Sequence, residues 1–578
     1  MTLPDVDITR TDGNLGLTSV ASDKLLVMGP CSLGVVGSKH TFSQPQRVVD
    51  TLGMGRAVTT ACHILDIAGG SVDVLVTDAD VAGANSSVTG SGIGPAVTLS
   101  GTSLELFAGI IRVTAGGARG VGRFQYTLDG GQTYGTVRTI PANGTFVVPD
   151  SGLTATFATT SAAVRTNGTV GPAITLTGTP TALTDYDIVI EIDLGGARAT
   201  ATFRWSTNGG ATWVAEDVLT AATVVLTGTG LTANFPDTAS YVLGETYSWT
   251  TGYNADETYT FTATPASADS SDIDEAAATL FEENTRWKAV AVPFRQASAA
   301  AAAVIAETVG GHMADLADLA RDSRALVDCS LDTVANVQSE FEDVEDLRLA
   351  LFYGDTRIAV ANPIEGWRRP LLPNVISAAA MVAKFSRGTN IGWVGTGSPP
   401  TGGRIPKCSG ISFDEKLEGE QLHDRKINTT RTYVGRSGYY FVNSLLKCPA
   451  GSDFRYLHWG LAFDVCCQVA HDGMQPYVNS SQPTKADGSE FANSITAAAA
   501  AAINGQVNKK LRVAVIEPNT EQGPGYVTAV QFAIDEEFDI LTSSKLRGSF
   551  RAVPKANTEQ VELTGGLATD LTSTTEAA

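Results

Sequence analysis

The chain has 578 residues against a usual ~100–200 per domain, so several domains are expected. Its apolar fraction of 43% and charged fraction of 17% provide for buried cores and exclude a globally disordered chain. Forty Lys and Arg against 61 Asp and Glu leave a net charge of -21, which speaks against a nucleic-acid binder, and no apolar run reaches the ~18 residues of a membrane span.

The opening residues, MTLPDVDITR, lack a basic n-region and an apolar h-region, so no secretory signal is expected. Within them Asp5 to Arg10 alternate polar and apolar residues, with Val6 and Ile8 as the apolar pair. A lone strand of that length needs a partner sheet, so residues 1–20 read as an extended arm. Residues 21–87 carry a βαβ pattern: a buried strand at 25–29, helical spacing over 48–69 and a second strand at 72–78.

The pattern then changes. No lysine occurs between Lys39 and Lys288, and residues 88–265 are rich in Gly, Thr, Val and Ala. Short alternating runs (VTLSG, FQYTLDGG, GTFVVPDSG, VVLTGTG, TYTFTAT) are punctuated by Gly, Asn and Asp turns, which is an all-β sandwich signal. The segment repeats. GPAVTLSGT from Gly94 recurs as GPAITLTGT from Gly171, GGAR from Gly116 recurs from Gly195, Phe124-Gln125-Tyr126 recurs as Phe203-Arg204-Trp205, and LTATF from Leu153 recurs as LTANF from Leu231. The offset stays between 77 and 79 residues, too long for a solenoid repeat. The expectation is a pair of tandem Ig-like modules, 88–170 and 171–265, with Phe124, Tyr126, Phe203 and Trp205 as core rather than a ligand platform.

After the insert the α/β pattern resumes, with strands at 287–294, 325–330 and 347–354 and helices at 298–323 and 332–347. The insert thus interrupts one α/β domain made of 21–87 and 266–400. Residues 401–566 read as α+β. Helical spacing occurs at 374–386, 454–475 and 490–503, and strands are expected at 511–518, 526–538 and in a final group through 539–566. In that group Lys545 to Val553, which includes Phe550, could offer a sheet edge, and Val561 and Leu563 alternate with polar residues much as Val6 and Ile8 do. The tail 567–578 is polar and expected to fray.

Residues that carry chemistry do not assemble. Seven scattered cysteines, odd in number and without CxxC spacing, read as reduced thiols; a Cys408–Cys448 bridge is the one pairing left open. The six histidines form no HxH, HExxH or i,i+4 pair, adjacent Cys62 and His63 would point apart on a helix, and Cys466-Cys467 reads as buried packing. GTGSPPTGG at 395–403 lacks phosphate-loop spacing, and the acidic run from Glu340 to Asp346 lacks the alternation of a calcium loop. No metal, no cofactor and no enzymatic activity are expected.

The order of features outside the insert resembles contractile tail sheath proteins. Phe42, Leu52-Gly53, Gly55, Gly69-Gly70, Val72 and Val74 occupy the places of that family's N-terminal strand–loop–helix–strand segment. Arg369-Pro370-Leu371-Leu372-Pro373-Asn374, the small-residue helix Ser377 to Ala383 and Arg387-Gly388 follow its Pro-led segment, Ala-rich helix and RG turn. Gly410-Ile411 and Lys426-Ile427-Asn428-Thr429-Thr430-Arg431 follow next, although Tyr439-Tyr440-Phe441-Val442-Asn443 stands where the family often has WG.RT.

The resemblance covers roughly residues 20–87 and 280–566 and implies a multidomain α/β and α+β sheath core with the all-β pair inserted. It implies a structural, non-enzymatic subunit of a phage tail, pyocin-like particle or other injection system. Such a subunit is assembled in the bacterial cytoplasm and stacks with copies of itself as rings around an inner tail tube protein, with baseplate and tail-terminator proteins as further partners and neither nucleic acid nor membrane insertion. The sheath contracts to drive the tube through a target envelope. Strand exchange between subunits would run through Val6, Ile8, Val561, Leu563, Phe550 and Val553. The all-β pair keeps two other readings open: a surface adhesin or carbohydrate-binding protein, and a glycan-active enzyme with accessory modules, which would need paired carboxylates in a cleft.

Overall fold

The structure, a computed structural model, describes residues 23–166, 171–181, 184–282, 285–395, 402–486 and 488–561. The described residues divide into two units, one of 23–385 and 390–457 and one of 386–389 with 458–561. Elements of the α/β body are numbered here along the chain, and the β insert is given by residue ranges.

Strand β1 (Leu25–Pro30) is followed by β2 (Lys39–Phe42), helices α1 (Pro45–Leu52) and α2 (Arg56–Ala68), and β3 (Val72–Thr77). The helical spacing over 48–69 is therefore two helices, not one. Gly53 and Gly55 lie at φ 71° and 136°, conformations that end α1 and start α2. After the insert come α3 (Ser270–Phe281), β4 (Ala289–Val292), α4 (Ala299–Asp318), β5 (Ala325–Asp328), α5 (Val334–Glu340) and β6 (Leu349–Phe352). Then follow β7 (Asp355–Ile358), β8 (Leu371–Pro373), α6 (Asn374–Lys384), β9 (Cys408–Ile411) and β10 (Ile427–Asn428). The seven-stranded sheet has the order β2-β3-β1-β4-β5-β6-β10, with only β2 antiparallel to its neighbour.

The central strands are buried along their whole length, as a sheet covered on both faces requires. Leu26, Met28, Val290, Val292, Val327 and Leu351 pack with α3 and α4. The alternate residues turn to the side of α2 and α6, whose close approach is allowed by the buried Ala378, Ala379 and Ala380. Because β10 completes this sheet, the domain boundary expected at 400/401 is displaced: residues up to 457 belong with the α/β body.

The insert leaves after β3 and returns before α3, and Val81 and Ser267 close its neck by exchanging two main-chain hydrogen bonds, 3.0 and 2.9 Å. It contains two double-sheet bodies. In the first, Thr258–Thr264 pairs with Phe107–Ala115, which pairs with Arg123–Thr127, and a three-stranded sheet of Thr145–Val147, Leu153–Phe157 and Val97–Gly101 accompanies them. In the second, Val164–Thr166, Thr246–Thr250, Asp187–Leu194, Thr202–Ser206 and Ala215–Leu219 form one sheet and Thr175–Gly178, Leu231–Asn234 and Thr223–Leu226 the other. Phe203 and Phe235, 4.7 Å apart, meet across the second core, as Phe124 and Phe157, 5.1 Å apart, do across the first.

These bodies are nested rather than tandem. The first takes its closing strand, Thr258–Thr264, from beyond the whole of the second, so the expected boundary at 170/171 does not separate them. The signal was present in the sequence. Tyr241-Val-Leu-Gly-Glu245-Thr-Tyr247-Ser-Trp249 is repeated directly as Tyr253-Asn-Ala-Asp-Glu257-Thr-Tyr259-Thr-Phe261, two closing strands back to back. Their roles match: the Tyr247 hydroxyl donates to Pro172 O at 2.7 Å and the Tyr259 hydroxyl to Pro95 O at 2.8 Å.

The first body, module 1, is fastened to the α/β body at two places. Fully buried Glu105 pairs with Arg56 at 2.9 Å and accepts a 2.7 Å bond from Thr59, both in the first turn of α2. The segment from Ile364 to Arg369 lies over the turn at Asp129. Leu128 N donates to Gly366 O at 2.6 Å, the N–H groups of Arg368 and Arg369 donate to Asp129 Oδ2 at 3.2 and 3.0 Å, and buried Trp367 sits edge-on to Phe107 at 5.8 Å. Burial works against the Asp129 carboxylate, and the bonds from Thr133, Arg369 and Thr127 outweigh it, so its pKa lies below the ordinary value. A buried ion pair broken on one side leaves an uncompensated charge. Glu105→Ala is therefore expected to cost about 3–5 kcal/mol, and Arg56→Met with Glu105→Leu to recover most of it, read by denaturant unfolding followed by tryptophan fluorescence.

Candidate assembly edge of the C-terminal unit

The C-terminal unit is built on helices Leu457–Met474 and Ala497–Leu511 and the antiparallel hairpin Val527–Ile534 with Gly548–Pro554. The strand expected at 511–518 is not formed. Ala497–Leu511 continues as a π-helical segment, Arg512–Ile516, because Leu511 and Val515, four apart, are both buried in the same core as Ile503 and Val507. A short helix, Ile540–Ser543, replaces the first part of the expected final strand group.

The hairpin turns one face to this core. Val527, Phe532, Ile534 and Phe550 are buried among Ala462, Val465, Cys466 and the second helix. Phe550 also meets Phe463 at 6.1 Å. The opposite face has Gln531 across from Arg551 and Ala529 across from the exposed Val553. No third strand pairs with the hairpin among the described residues.

Its two edges differ. On the outer side of Val527–Ile534, Phe532 N–H donates to Asn508 Oδ1 at 2.8 Å and Phe532 O accepts from Asn508 Nδ2 at 2.9 Å. Ile534 N–H donates to Asn504 Oδ1 at 2.8 Å. Two asparagines one helical turn apart thus stand in for a third strand and close that edge. Phe532 and Phe550 are directly opposite. Since the main-chain groups of Phe532 point away from its partner, this is a non-hydrogen-bonded pair, and those of Phe550 point to the other edge. By the same alternation Ala552 does too, and neither residue's outward groups meet a partner among the described residues. Among the described residues the unpaired edge is Gly548–Pro554.

Of the residues singled out in the sequence, Phe550 and Val553 lie on this strand, Phe550 4% exposed and Val553 52%. Val561 is 76% exposed and in no strand. Val6, Ile8 and Leu563 lie outside the described residues. Asn504 and Asn508 were missed because the helix was expected to end at 503, and their i,i+4 spacing on a longer helix was the available signal.

The Arg387-Gly388 turn is held in this unit by Glu521. The carboxylate accepts 2.6 Å bonds from the hydroxyls of Ser386 and Thr389 and a 3.1 Å bond from Ser386 N–H, and a Cβ on Gly388 would meet Tyr526 Cα at 2.8 Å. Chemistry for a cofactor or reaction is sparse. Among the described residues no three His, Cys, Asp or Glu side chains are grouped as metal ligands, and no helix is long and apolar enough to cross a membrane. None of the seven cysteines is in a disulfide, Cys408 and Cys448 included, and burial pushes the Cys62 thiol up to about 12 and lowers His63 to about 4.

No protein-family model matches the chain, and no curated protein does. Among solved structures it is similar to the sheath tail protein Lin1278 from Listeria innocua, at 11% identity over 95% of this chain and 96% of that one, with a TM-score of 0.38. It is likewise similar to the sheath tail protein DSY3957 from Desulfitobacterium hafniense, at 8% identity over 95% and 100% of the two chains, with a TM-score of 0.39. The contracted helical sheath of the anti-feeding prophage matches at 15% identity over 52% and 72%, with a TM-score of 0.33. The chain is similar to contractile sheath proteins.

Burial works against the Glu521 carboxylate, and the bonds from Ser386 and Thr389 outweigh it, so its pKa lies below the ordinary 4.5. The stability it confers is therefore full above about pH 4.5 and is lost as pH falls through the folded value. Glu521→Gln is expected to cost about 1–2 kcal/mol at neutral pH and to flatten the acid limb of the stability curve, measured by denaturation between pH 3 and 7.

Proposed function

We propose that the chain is the structural subunit of a contractile sheath. Copies stack as rings around an inner tube, and contraction drives that tube through a target envelope. The observation that carries this reading is the C-terminal hairpin with one edge closed by Asn504 and Asn508 and the other without a partner strand among the described residues. A long exposed strand edge invites pairing with another chain, and a subunit that keeps one edge shut and one open adds a strand on one side only.

Within this proposal Phe550 and Val553 divide the work. The Phe550 side chain anchors the accepting strand to its own core, while its main-chain groups face outward to receive a strand. Val553, exposed, gives that strand an apolar contact. The arriving strands are the alternating segments around Val6 and Ile8 and around Val561 and Leu563 of neighbouring copies. Main-chain pairing holds the subunits together while their bodies shift, which a contracting array needs. No reaction is assigned to the chain. Its partners are copies of itself, the tube protein, and baseplate and terminator proteins, and its place is a tail or injection particle assembled in the bacterial cytoplasm.

Truncation of residues 1–12 or 558–578 is expected to leave a folded subunit that forms no tubes in negative-stain micrographs. Ala552→Pro tests the edge itself. Proline is tolerated where a strand N–H faces solvent, so the subunit is expected to keep its melting temperature within about 4 °C while tube formation is lost. Normal tubes from both truncations and from Ala552→Pro would overturn the strand-exchange reading.

A further inference from the structure

The two β modules are copies, so an occupied face in one shows what the matching face of the other is built to hold. In module 1 the turn after Arg123–Thr127 is organised by Asp129, which accepts a 2.8 Å bond from the Thr127 hydroxyl, a 2.9 Å bond from Thr133 N–H and a 2.6 Å bond from the Thr133 hydroxyl. The occupant of that turn is a second tight turn, Ile364 to Trp367, closed by a 3.1 Å bond from Trp367 N–H to Ile364 O with Gly366 at φ 75°, and the Arg368-Arg369 pair that follows it. It is held through Leu128 N–H, Asp129 Oδ2, which it shares with the Thr133 hydroxyl, and the Phe107 ring. Glu365 adds bonds from Thr136 N–H at 2.7 Å and from Arg138 at 2.5 Å.

Module 2 repeats the turn. Asn208 Oδ1 accepts from the Ser206 hydroxyl at 2.8 Å and from Thr212 N–H at 3.0 Å, and Nδ2 donates to the Thr212 hydroxyl at 2.8 Å. Tyr186 stands where Phe107 stands, and the bridge Asp187 to Asn208 matches that of Ala108 to Asp129. The difference is cover. Leu128 and Asp129 are buried, whereas Thr207 is half-buried and Asn208 exposed. The N–H of Thr207, counterpart of the Leu128 donor, has no partner among the described residues.

We propose that this face of module 2 docks a basic turn of another protein that carries an aromatic residue, in the manner of residues 364–369 on module 1. Charge sets the chemistry of the occupant. Exposed Asp185 and Asp187 flank the turn where module 1 has Leu106 and Ala108, so the segment is cationic. Asn208 in place of Asp129 offers its second amide N–H, so the segment turns a carbonyl oxygen to that position where module 1 meets two N–H groups. Thr207 N–H takes a second carbonyl, as Leu128 N–H takes that of Gly366, and Tyr186 takes the aromatic ring. The chain's own copy of such a segment does not serve, because Trp367 is fully buried on module 1.

The test uses the full chain and a fluorescein-labelled peptide of residues 362–371, NPIEGWRRPL, with fluorescence anisotropy as readout. Saturable binding is expected, weakened at least about tenfold by Asp185→Arg with Asp187→Arg, a change at exposed positions, and as much by Trp→Ala in the peptide, which keeps its charge. A photoreactive group at the peptide's tryptophan position is expected to label Tyr186. No saturable binding up to about 1 mM, equal binding to the double-Arg protein or by the Trp→Ala peptide, or labelling at Phe107 instead, would each overturn the proposal.

Discussion

Two hydrogen bonds between Val81 and Ser267 are the condition for the rest of the α/β body. A parallel sheet requires a crossover from β3 to the next strand, and here the chain travels from Thr77 to Ser270 before the crossover helix begins. The entropy of closing so long an excursion rises only with the logarithm of its length, so the cost is bounded if its ends return to one place. The bridge supplies that place, and α3 then packs as if no insert intervened. The same device recurs one level out. Ser161 N–H donates to Thr250 O at 2.8 Å and Thr250 N–H to the Ser161 hydroxyl at 3.0 Å, where module 2 leaves and re-enters module 1.

Nesting has a consequence for how each module is held. Module 1 is not a tethered ornament. The Glu105–Arg56 pair and the segment around Trp367 join its core to that of the α/β body, with a carboxylate accepting main-chain N–H groups at the centre of the contact. Module 2 keeps the turn that makes this contact, with asparagine for aspartate. A charge that recognises N–H donors has become a neutral group that both donates and accepts, on a face left exposed.

The C-terminal unit shows the complementary use of side-chain amides. A two-stranded hairpin is marginal alone, and here the buried face of Phe532, Ile534 and Phe550 ties it to two helices. Asn504 and Asn508 then satisfy main-chain groups on one side only. Alternation of hydrogen-bonded and non-hydrogen-bonded pairs sends the groups of Phe532 and Phe550 to opposite edges, so the asparagines close one edge and leave the other without a partner among the described residues.

What the sequence determined by itself was local and periodic. Buried runs such as Leu25 to Met28 and Val72 to Val76 announced parallel strands, the 77–79-residue repeat announced duplicated β modules, and Phe550 and Val553 were legible as a strand because they fall in an alternating run. The closing segments were also written there, as a repeat twelve residues apart. Only the tertiary structure decided which strands those copies joined, that 512–516 continues a helix because Leu511 and Val515 face one core, and that Ile427-Asn428 complete the α/β sheet. The physical reason is common to all three: period and propensity describe a segment's own faces, whereas pairing and burial depend on partners far away in the chain. Asn504, Asn508, Asp129 and Glu521 acquire their roles only when main-chain groups distant in sequence are brought to within hydrogen-bond reach.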